Sequence, residues 1–247
     1  MTEEGMKQAY ENLKKNKINA LVVIGGEGSF RGVTEFSKRF DIKIVGLPGT
    51  IDNDIYGTDV TIGFDTALNT VVEAVDKICD TASSHDQMFF VEVMGRDAGF
   101  LTLRAGISCG AEAILIPEVE SDINKFVDYL ENGYRRKKTS NIILVAEGEK
   151  EGGAFEVVKK LEPYLQGYDV RVSVLGHIQR GGAPSAYDRY IATKMAVEAV
   201  FALINNHSGI MIGIVNDKIV HVPIEKAIKL HKTVDIEEVK IIDIMNV

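Results

Sequence analysis

Little in the chain ties it to a membrane, a secreted disulfide scaffold or a metal cluster. Its 247 residues hold only two cysteines, Cys79 and Cys109, too few for a disulfide framework and without metal-ligand spacing. That usage fits a reducing, cytoplasmic compartment. No apolar run reaches the roughly eighteen residues that span a bilayer. The opening MTEEGMKQ is polar and acidic, so no secretory signal is expected. Five prolines form no Pro- or Ser-rich linker, and there is no fixed-period repeat or low-complexity tract. Composition alone therefore marks no domain boundary. Positive charge is also scarce: 28 Lys and Arg against 36 Asp and Glu give a net charge of −8. A protein that grips a nucleic-acid backbone usually carries a basic face. Here the one short basic cluster, Arg135, Arg136, Lys137 and Lys138, reads as a solvated helix end. Neither a nucleic acid nor a membrane is an expected partner. An anionic small ligand remains compatible, because a few aimed arginines in a pocket outweigh the surface average.

What is present is an ordinary globular composition, 45% hydrophobic and 26% charged, which argues against disorder. The length suits one large domain or two small ones. Strand-like and helix-like segments alternate throughout. Thr2 is placed to cap a helix whose apolar face is Met6, Tyr10 and Leu13. Short apolar runs predict strands at Ala20–Ile24, Ile42–Leu47, Met88–Val93, Ala113–Ile116, Asn141–Ala146 and Val170–Leu175. Helices are expected around Val33–Phe40, Leu68–Ile78, Ile123–Tyr134, Phe155–Leu165 and Ala186–Ile204. Ile210–Val215, Asn216-Asp217 and Lys218–Val222 predict a β-hairpin. This alternation indicates an α/β fold with mostly parallel sheets and right-handed crossovers.

In such sheets ligands bind at the carboxyl ends of strands, and several predicted strands end in polar or glycine-rich sequence. Gly25-Gly26-Glu27-Gly28-Ser29 lies between a strand and a helix. Glycines there let a backbone approach phosphate, the helix N-terminus supplies N–H groups, and Ser29 is placed to cap. A tight turn with a cap accounts for it equally well, and no Walker A pattern is present. Thr50-Ile51-Asp52-Asn53-Asp54 opens a long polar loop, the kind that is commonly functional. One of its carboxylates can accept a hydroxyl proton while the other supports geometry or a metal; taken alone, the pattern also reads as an Asx-turn. Met94-Gly95-Arg96 brings a guanidinium to a strand end, suited to phosphate or to developing phosphoryl charge. Arg171, His177 and Arg180 add possible anion contacts, Gly181-Gly182 allows close approach, and Glu147 is placed to accept sugar hydroxyls. Together these suggest phosphoryl transfer to a sugar-like hydroxyl, with Mg²⁺ arriving largely with the nucleotide.

At these residues the sequence resembles the bacterial ATP-dependent 6-phosphofructokinases. The most specific segments are PGTIDNDIYGTDVTIGFDTALNT (Pro48–Thr70), VEVMGR (Val91–Arg96) and VLGHIQRGGAPSAYDR (Val174–Arg189). NAD kinases and diacylglycerol kinases also carry a GGDG-type turn like Gly25–Ser29 but lack the TIDND and HIQRGG pair. The resemblance implies two Rossmann-like three-layer domains: residues 1–63 and 179–230 for the nucleotide, and 64–178 and 231–247 for the sugar phosphate. It implies Asp52 as the base at the sugar 1-hydroxyl, Thr50 and Arg96 as stabilisers of the transferred phosphoryl group, and Asp54 as support for the loop. Gly25, Gly26, Glu27, Gly28 and Ser29 would contact ATP, with Glu27 at the Mg²⁺ position. Thr50, Ile51, Asp52, Met94, Gly95, Arg96, Glu147, Arg171, His177, Ile178, Gln179 and Arg180 would hold fructose 6-phosphate. Gly110, Ala111, Glu112, Arg136 and Lys138 resemble an effector site for ADP or phosphoenolpyruvate. Gly28 and Gly49 fit the ATP-using branch, and the family is homotetrameric, with sites shared between subunits.

Four departures accompany the resemblance. The family's opening strand, its GGDxxGxN phosphate loop and a later ATP-contacting arginine have no counterpart before Thr2, so an incomplete nucleotide domain with an exposed sheet edge is expected. Glu27 stands where the family has Asp. Gln87 replaces an arginine that reaches across a subunit interface to the sugar phosphate. Cys79 replaces an effector-site arginine. An active kinase is the leading expectation; a non-catalytic subunit that binds sugar phosphate or effector is the alternative.

Overall fold

The computed structural model describes residues 2–85, 87–120 and 141–245. In chain order the elements are α1 (Glu3–Lys15), β1 (Ala20–Gly25), α2 (Glu27–Arg39), β2 (Lys43–Pro48), α3 (Phe64–His85), β3 (Gln87–Val93), α4 (Phe100–Cys109), β4 (Ala113–Leu115), β5 (Asn141–Ala146), α5 (Ala154–Leu161), β6 (Asp169–Val174), α6 (Ala186–Ile204), β7 (Ile210–Val215), β8 (Lys218–Pro223), α7 (Ile224–Lys229) and α8 (Ile236–Met245). Short 3-10 turns follow α5 at Glu162–Tyr164 and β6 at Gly176–Arg180. The helix expected at Ile123–Tyr134 lies outside the described residues.

The chain forms two units, Met1–Phe64 with Pro184–Lys232, and Asp65–Ala183 with Thr233–Val247. The second crossing thus falls after Ala183, a few residues beyond the boundary expected at 179.

In the first unit the sheet order is β1-β2-β7-β8. β1, β2 and β7 are parallel and β8 is antiparallel to β7. The β7–β8 link is Asn216-Asp217, both with positive φ (49° and 60°), the backbone that a two-residue hairpin needs to match strand twist. On one sheet face Ile44 and Met211 pack with Met6, Phe30, Phe36, Ile224 and Ala227 from α1, α2 and α7. On the other, Val45, Leu47, Ile212 and Ile214 pack with Ile191, Met195, Ala199 and Ala202 of α6. This alternation is the two-residue period of a strand covered on both faces. α1 is capped as expected: the Thr2 hydroxyl accepts the Gly5 N–H at 3.2 Å. β1 is an edge strand, and Ile24 is 65% exposed.

The second unit has the order β4-β5-β3-β6, all parallel. β3 is central and its Met88, Phe89, Phe90, Val91 and Val93 are buried, which is why its sequence is apolar rather than alternating. Met88, Phe90, Ile143 and Val145 meet Ala154, Val157 and Leu161 of α5, while α4 packs on β4 and β5. Among the described residues no helix is long and apolar enough to cross a membrane.

Candidate active site

In the first unit the glycine turn and the aspartate loop meet at the ends of β1 and β2. The register pairs Gly25 with Pro48, and the Gly49 N–H donates to the Gly25 carbonyl at 3.0 Å. A Cβ on Gly26 would lie 3.7 Å from the Thr50 Cβ, so the two motifs are neighbours. The sequence places Ser29 as the cap of α2; the structure places Gly26 there, with no side-chain cap. The Gly26 carbonyl already accepts the Ser29 and Phe30 N–H groups at 3.0 and 3.1 Å. The helix therefore starts at Glu27 and Ser29 is inside its first turn. An uncapped helix start of this kind suits a phosphate.

Asp52 is only 8% exposed, and its backbone N–H reaches the Thr50 hydroxyl at 3.3 Å. The loop around it is stitched to itself. The Thr61 hydroxyl donates to the Thr50 carbonyl at 2.7 Å and lies 3.3 Å from the Asn53 Oδ1. Asn53, left-handed at φ 54°, donates from its amide to the Asp59 carbonyl at 3.2 Å. The Thr58 hydroxyl donates to the Val60 carbonyl at 2.7 Å and accepts the Ile214 N–H at 3.1 Å. At the loop's end the Asp188 carboxylate, 2% exposed, accepts the Gly63 N–H at 2.8 Å. The Asp54 carbonyl accepts the Lys232 N–H at 3.2 Å. Sequence reasoning missed Thr58, Thr61 and Asp188. Their signals were threonines inside a polar loop and the Ser185-x-x-Asp188 cap spacing.

Glu27 does not by itself make a metal site. Its Oε1 accepts the Arg31 Nε–H at 2.6 Å, with Arg31 Nη2 on the same oxygen. No group of three or more His, Cys, Asp or Glu side chains among the described residues could hold an ion. The donor set fits an ion carried mainly by nucleotide phosphates, with one protein carboxylate in support.

In the second unit the predicted sugar-site residues gather at the ends of β3, β5 and β6. Three successive backbone N–H groups are taken by side chains: Met94 by the Gln179 Oε1 at 3.0 Å, and Gly95 and Arg96 by the Glu147 Oε1 at 3.3 and 2.7 Å. Gly95 and Arg96 have φ of 155° and 54°, and the left-handed state of a non-glycine residue costs about 1 kcal/mol. Gly148 makes room for the turn, since a Cβ there would lie 1.9 Å from the Arg96 carbonyl oxygen. Arg96 itself is exposed, as are Glu147, His177, Ile178 and Arg180. Gln179 is 1% exposed.

Arg171 is not in this group. It pairs with Phe89, near the start of β3. Its guanidinium donates to the Asp169 Oδ2 at 3.0 Å, the oxygen that also accepts the Gln87 amide at 2.8 Å. Nothing in the sequence signals this, because a strand's residue list does not say which end faces a ligand.

Of the effector candidates, Gly110 ends α4 in a left-handed conformation, Ala111 donates its N–H to the Gly106 carbonyl at 2.9 Å, and Glu112 donates its N–H to the Ile142 carbonyl at 2.9 Å. Arg136 and Lys138 lie outside the described residues. Cys79 and Cys109 are free and partly buried. Burial first, then Asp76 and Cys79, push the Cys109 thiol up to about 12. Burial, then Asp76 and Asp80, raise Cys79. Both are protonated at neutral pH and make poor nucleophiles.

The sequence matches the family model described as Phosphofructokinase over residues 1–203. It is 52% identical over 233 residues to ATP-dependent 6-phosphofructokinase 2 of Bacteroides thetaiotaomicron, covering 94% of this chain and 72% of that protein. It is 47% identical over 235 residues to ATP-dependent 6-phosphofructokinase 1 of Thermus thermophilus, covering 95% and 73%. Among solved structures, phosphofructokinase from Saccharomyces cerevisiae superposes with a TM-score of 0.85 at 38% identity; the match takes in 92% of this chain but only 35% of the yeast chain. The aspartate loop, the arginine turn and the sheets that carry them thus sit in a sequence that matches these proteins over nearly all of its length, and the chain belongs to the phosphofructokinase family.

Proposed function

We propose that this chain uses ATP to phosphorylate fructose 6-phosphate, giving ADP and fructose 1,6-bisphosphate, a step of glycolysis. The observation that carries the reading is the loop after β2: its Gly49 and Thr50 lie against the glycine turn of β1, and Asp52, two residues further on, is nearly buried. Asp52 accepts the proton of the sugar 1-hydroxyl as that oxygen attacks the terminal phosphoryl group. Thr50, whose hydroxyl already reaches the Asp52 N–H, and the exposed Arg96 guanidinium meet the charge on the transferred group. Residues Gly25–Ser29 hold the nucleotide phosphates at the uncapped start of α2. Asp54 supports the loop. Glu27 would supply the carboxylate nearest a Mg²⁺ ion arriving with the nucleotide, and that ion would offset the phosphate charge.

Met94, Gly95, Glu147, His177, Ile178 and Arg180 hold fructose 6-phosphate. Arg171, paired with Asp169 beside Gln87, serves a neighbouring subunit's sugar-phosphate site, the resemblance having placed an interface-crossing arginine at the Gln87 position. On this reading the units beginning at Met1 and Asp65 are the nucleotide and sugar-phosphate domains. The chain works as a homotetramer in the cytoplasm, and Gly110, Ala111, Glu112, Arg136 and Lys138 bind ADP or phosphoenolpyruvate. Identity of 47 to 52% to proteins named for the ATP-dependent activity does not favour the non-catalytic alternative. A coupled assay of the pure protein with Mg²⁺ checks the reaction: ADP release that depends on fructose 6-phosphate is expected, and its absence would refute the proposal.

A further inference from the structure

We propose that Gln179 is a positioning residue for the sugar-phosphate site and not a contact to the sugar. The role rests on the function proposed above. At 1% exposure its amide is closed to a ligand arriving from solvent, although His177, Ile178 and Arg180 around it in the same turn are exposed. Both ends of the amide are engaged by backbone. The Oε1 accepts the Met94 N–H at 3.0 Å, and the Nε2 donates to the Gly176 carbonyl at 3.0 Å. Met94 follows β3 and Gly176 follows β6, neighbouring parallel strands. Their register ends at Glu92–Val174, so Gln179 carries the connection beyond the last ladder pair.

The two segments it joins are those that bear Arg96 on one side and His177 with Arg180 on the other. Glutamine suits this task because it offers one acceptor and one donor at the reach required. Glutamate lacks the donor when ionised, leucine lacks both groups, and asparagine is one methylene short. Loss of the first bond leaves the buried Met94 N–H unsatisfied, and Met94 is the residue from which the left-handed Gly95-Arg96 turn departs. Gln179 therefore sets where the anion-binding side chains of two strand ends stand relative to each other, without touching the anion.

The test compares Gln179→Leu and Gln179→Glu with the unaltered full chain, by hydrogen exchange of the ligand-free protein and by kinetics. In Gln179→Leu the Met94 amide should exchange about tenfold faster, and KM for fructose 6-phosphate should rise about tenfold, the scale of one buried hydrogen bond lost. KM for ATP should stay within about twofold, because on the proposed reading the nucleotide phosphates are held by Gly25–Ser29 and Arg96 acts on the charge of the transition state. Gln179→Glu keeps the acceptor, and burial raises a carboxyl's pKa. Its protonated form restores the donor, so its KM for fructose 6-phosphate should fall toward the unaltered value as pH is lowered, relative to the unaltered chain's own profile. An unchanged sugar-phosphate KM in Gln179→Leu, or a parallel rise in both KM values, overturns the proposal. If the leucine variant does not fold, the glutamate variant decides by the same two readouts, and a pH profile parallel to the unaltered chain's overturns it. Failure of the functional reading is distinct: the unaltered chain then shows no turnover, while Met94 exchange still reports whether Gln179 holds the turn.

Discussion

The loop after β2 and the turn after β3 both carry charged groups at the ends of parallel strands, yet they are held differently. Residues 49–63 are braced many times over, through Thr61 to Thr50, Asn53 to Asp59, Thr58 to Val60 and Ile214, and Gly63 to Asp188. Most of these bonds end on backbone, and several lie within the loop. The Met94–Arg96 turn has far less of this, a bond from the Ala98 N–H to the Gly95 carbonyl at 3.0 Å. Two side chains from other strand ends, Glu147 and Gln179, take its N–H groups, and one glycine, Gly148, leaves room for its carbonyl. A long loop can share its strain among many weak bonds, each worth about 1 kcal/mol net. A short turn with two unusual φ values depends on a few contacts, so each single change there should cost more.

The largest expected effect tests the cargo of the first loop rather than its bracing. Asp52→Asn should lower kcat by about 10²–10⁴-fold, the usual worth of a general base, with little change in KM for ATP; a kcat within tenfold of the unaltered chain's would remove Asp52 from that role. Gly148→Ala comes next. Its Cβ would overlap the Arg96 carbonyl oxygen, so the turn must move, at a cost of about 1–3 kcal/mol in stability and with a raised KM for fructose 6-phosphate. Urea melts and steady-state kinetics read both.

Thr61→Val sharpens the contrast from the other side. One of several braces is lost, so stability should fall by about 1 kcal/mol and kcat by only a few-fold. A loss as great as that of Gly148→Ala would break the comparison. The smallest effect concerns the thiols. With Cys109 pushed up to about 12 and Cys79 also raised, alkylation of the folded protein at pH 7.5 should be far slower than that of the denatured chain. Unfolded thiols ionise near pH 8.5 while the folded ones stay protonated. Their contribution to stability is therefore fully present below that pH and declines above it. The same labelling checks the locality of Gly148→Ala: thiols that remain slow place the damage in the turn, whereas fast labelling means that the whole unit has loosened.

Much of this architecture was legible because its cause is local. The apolar run of β3 predicts a buried strand, which it is, whereas the same reading of Ala113–Ile116 meets a half-buried β4; the Asn216-Asp217 pair predicts a hairpin. Met6, Tyr10 and Leu13 mark the packed side of α1. The motifs Thr50–Asp54, Met94–Arg96 and His177–Arg180 were legible as residue types suited to phosphate and sugar at strand ends. What escaped is the assignment of individual side chains. Glu147 reads as a solvated acid or a sugar contact, and it also holds two backbone N–H groups of the arginine turn. Ser29 reads as a cap, but Gly26 takes that place. Arg171 reads as one more anion contact, but its register partner Phe89 puts it away from the Met94 end of β3.

The sequence alone determined the alternation of strands and helices, the hairpin turn and the chemical types gathered at strand ends, because apolar period and turn chemistry act over a few residues. Only the tertiary structure decided that Thr61 closes on Thr50, that Gln179 faces inward between two exposed neighbours, and that Gly148 must be bare. Those outcomes depend on which strands lie side by side and in what register, and pairing across dozens of residues leaves no mark on any one segment.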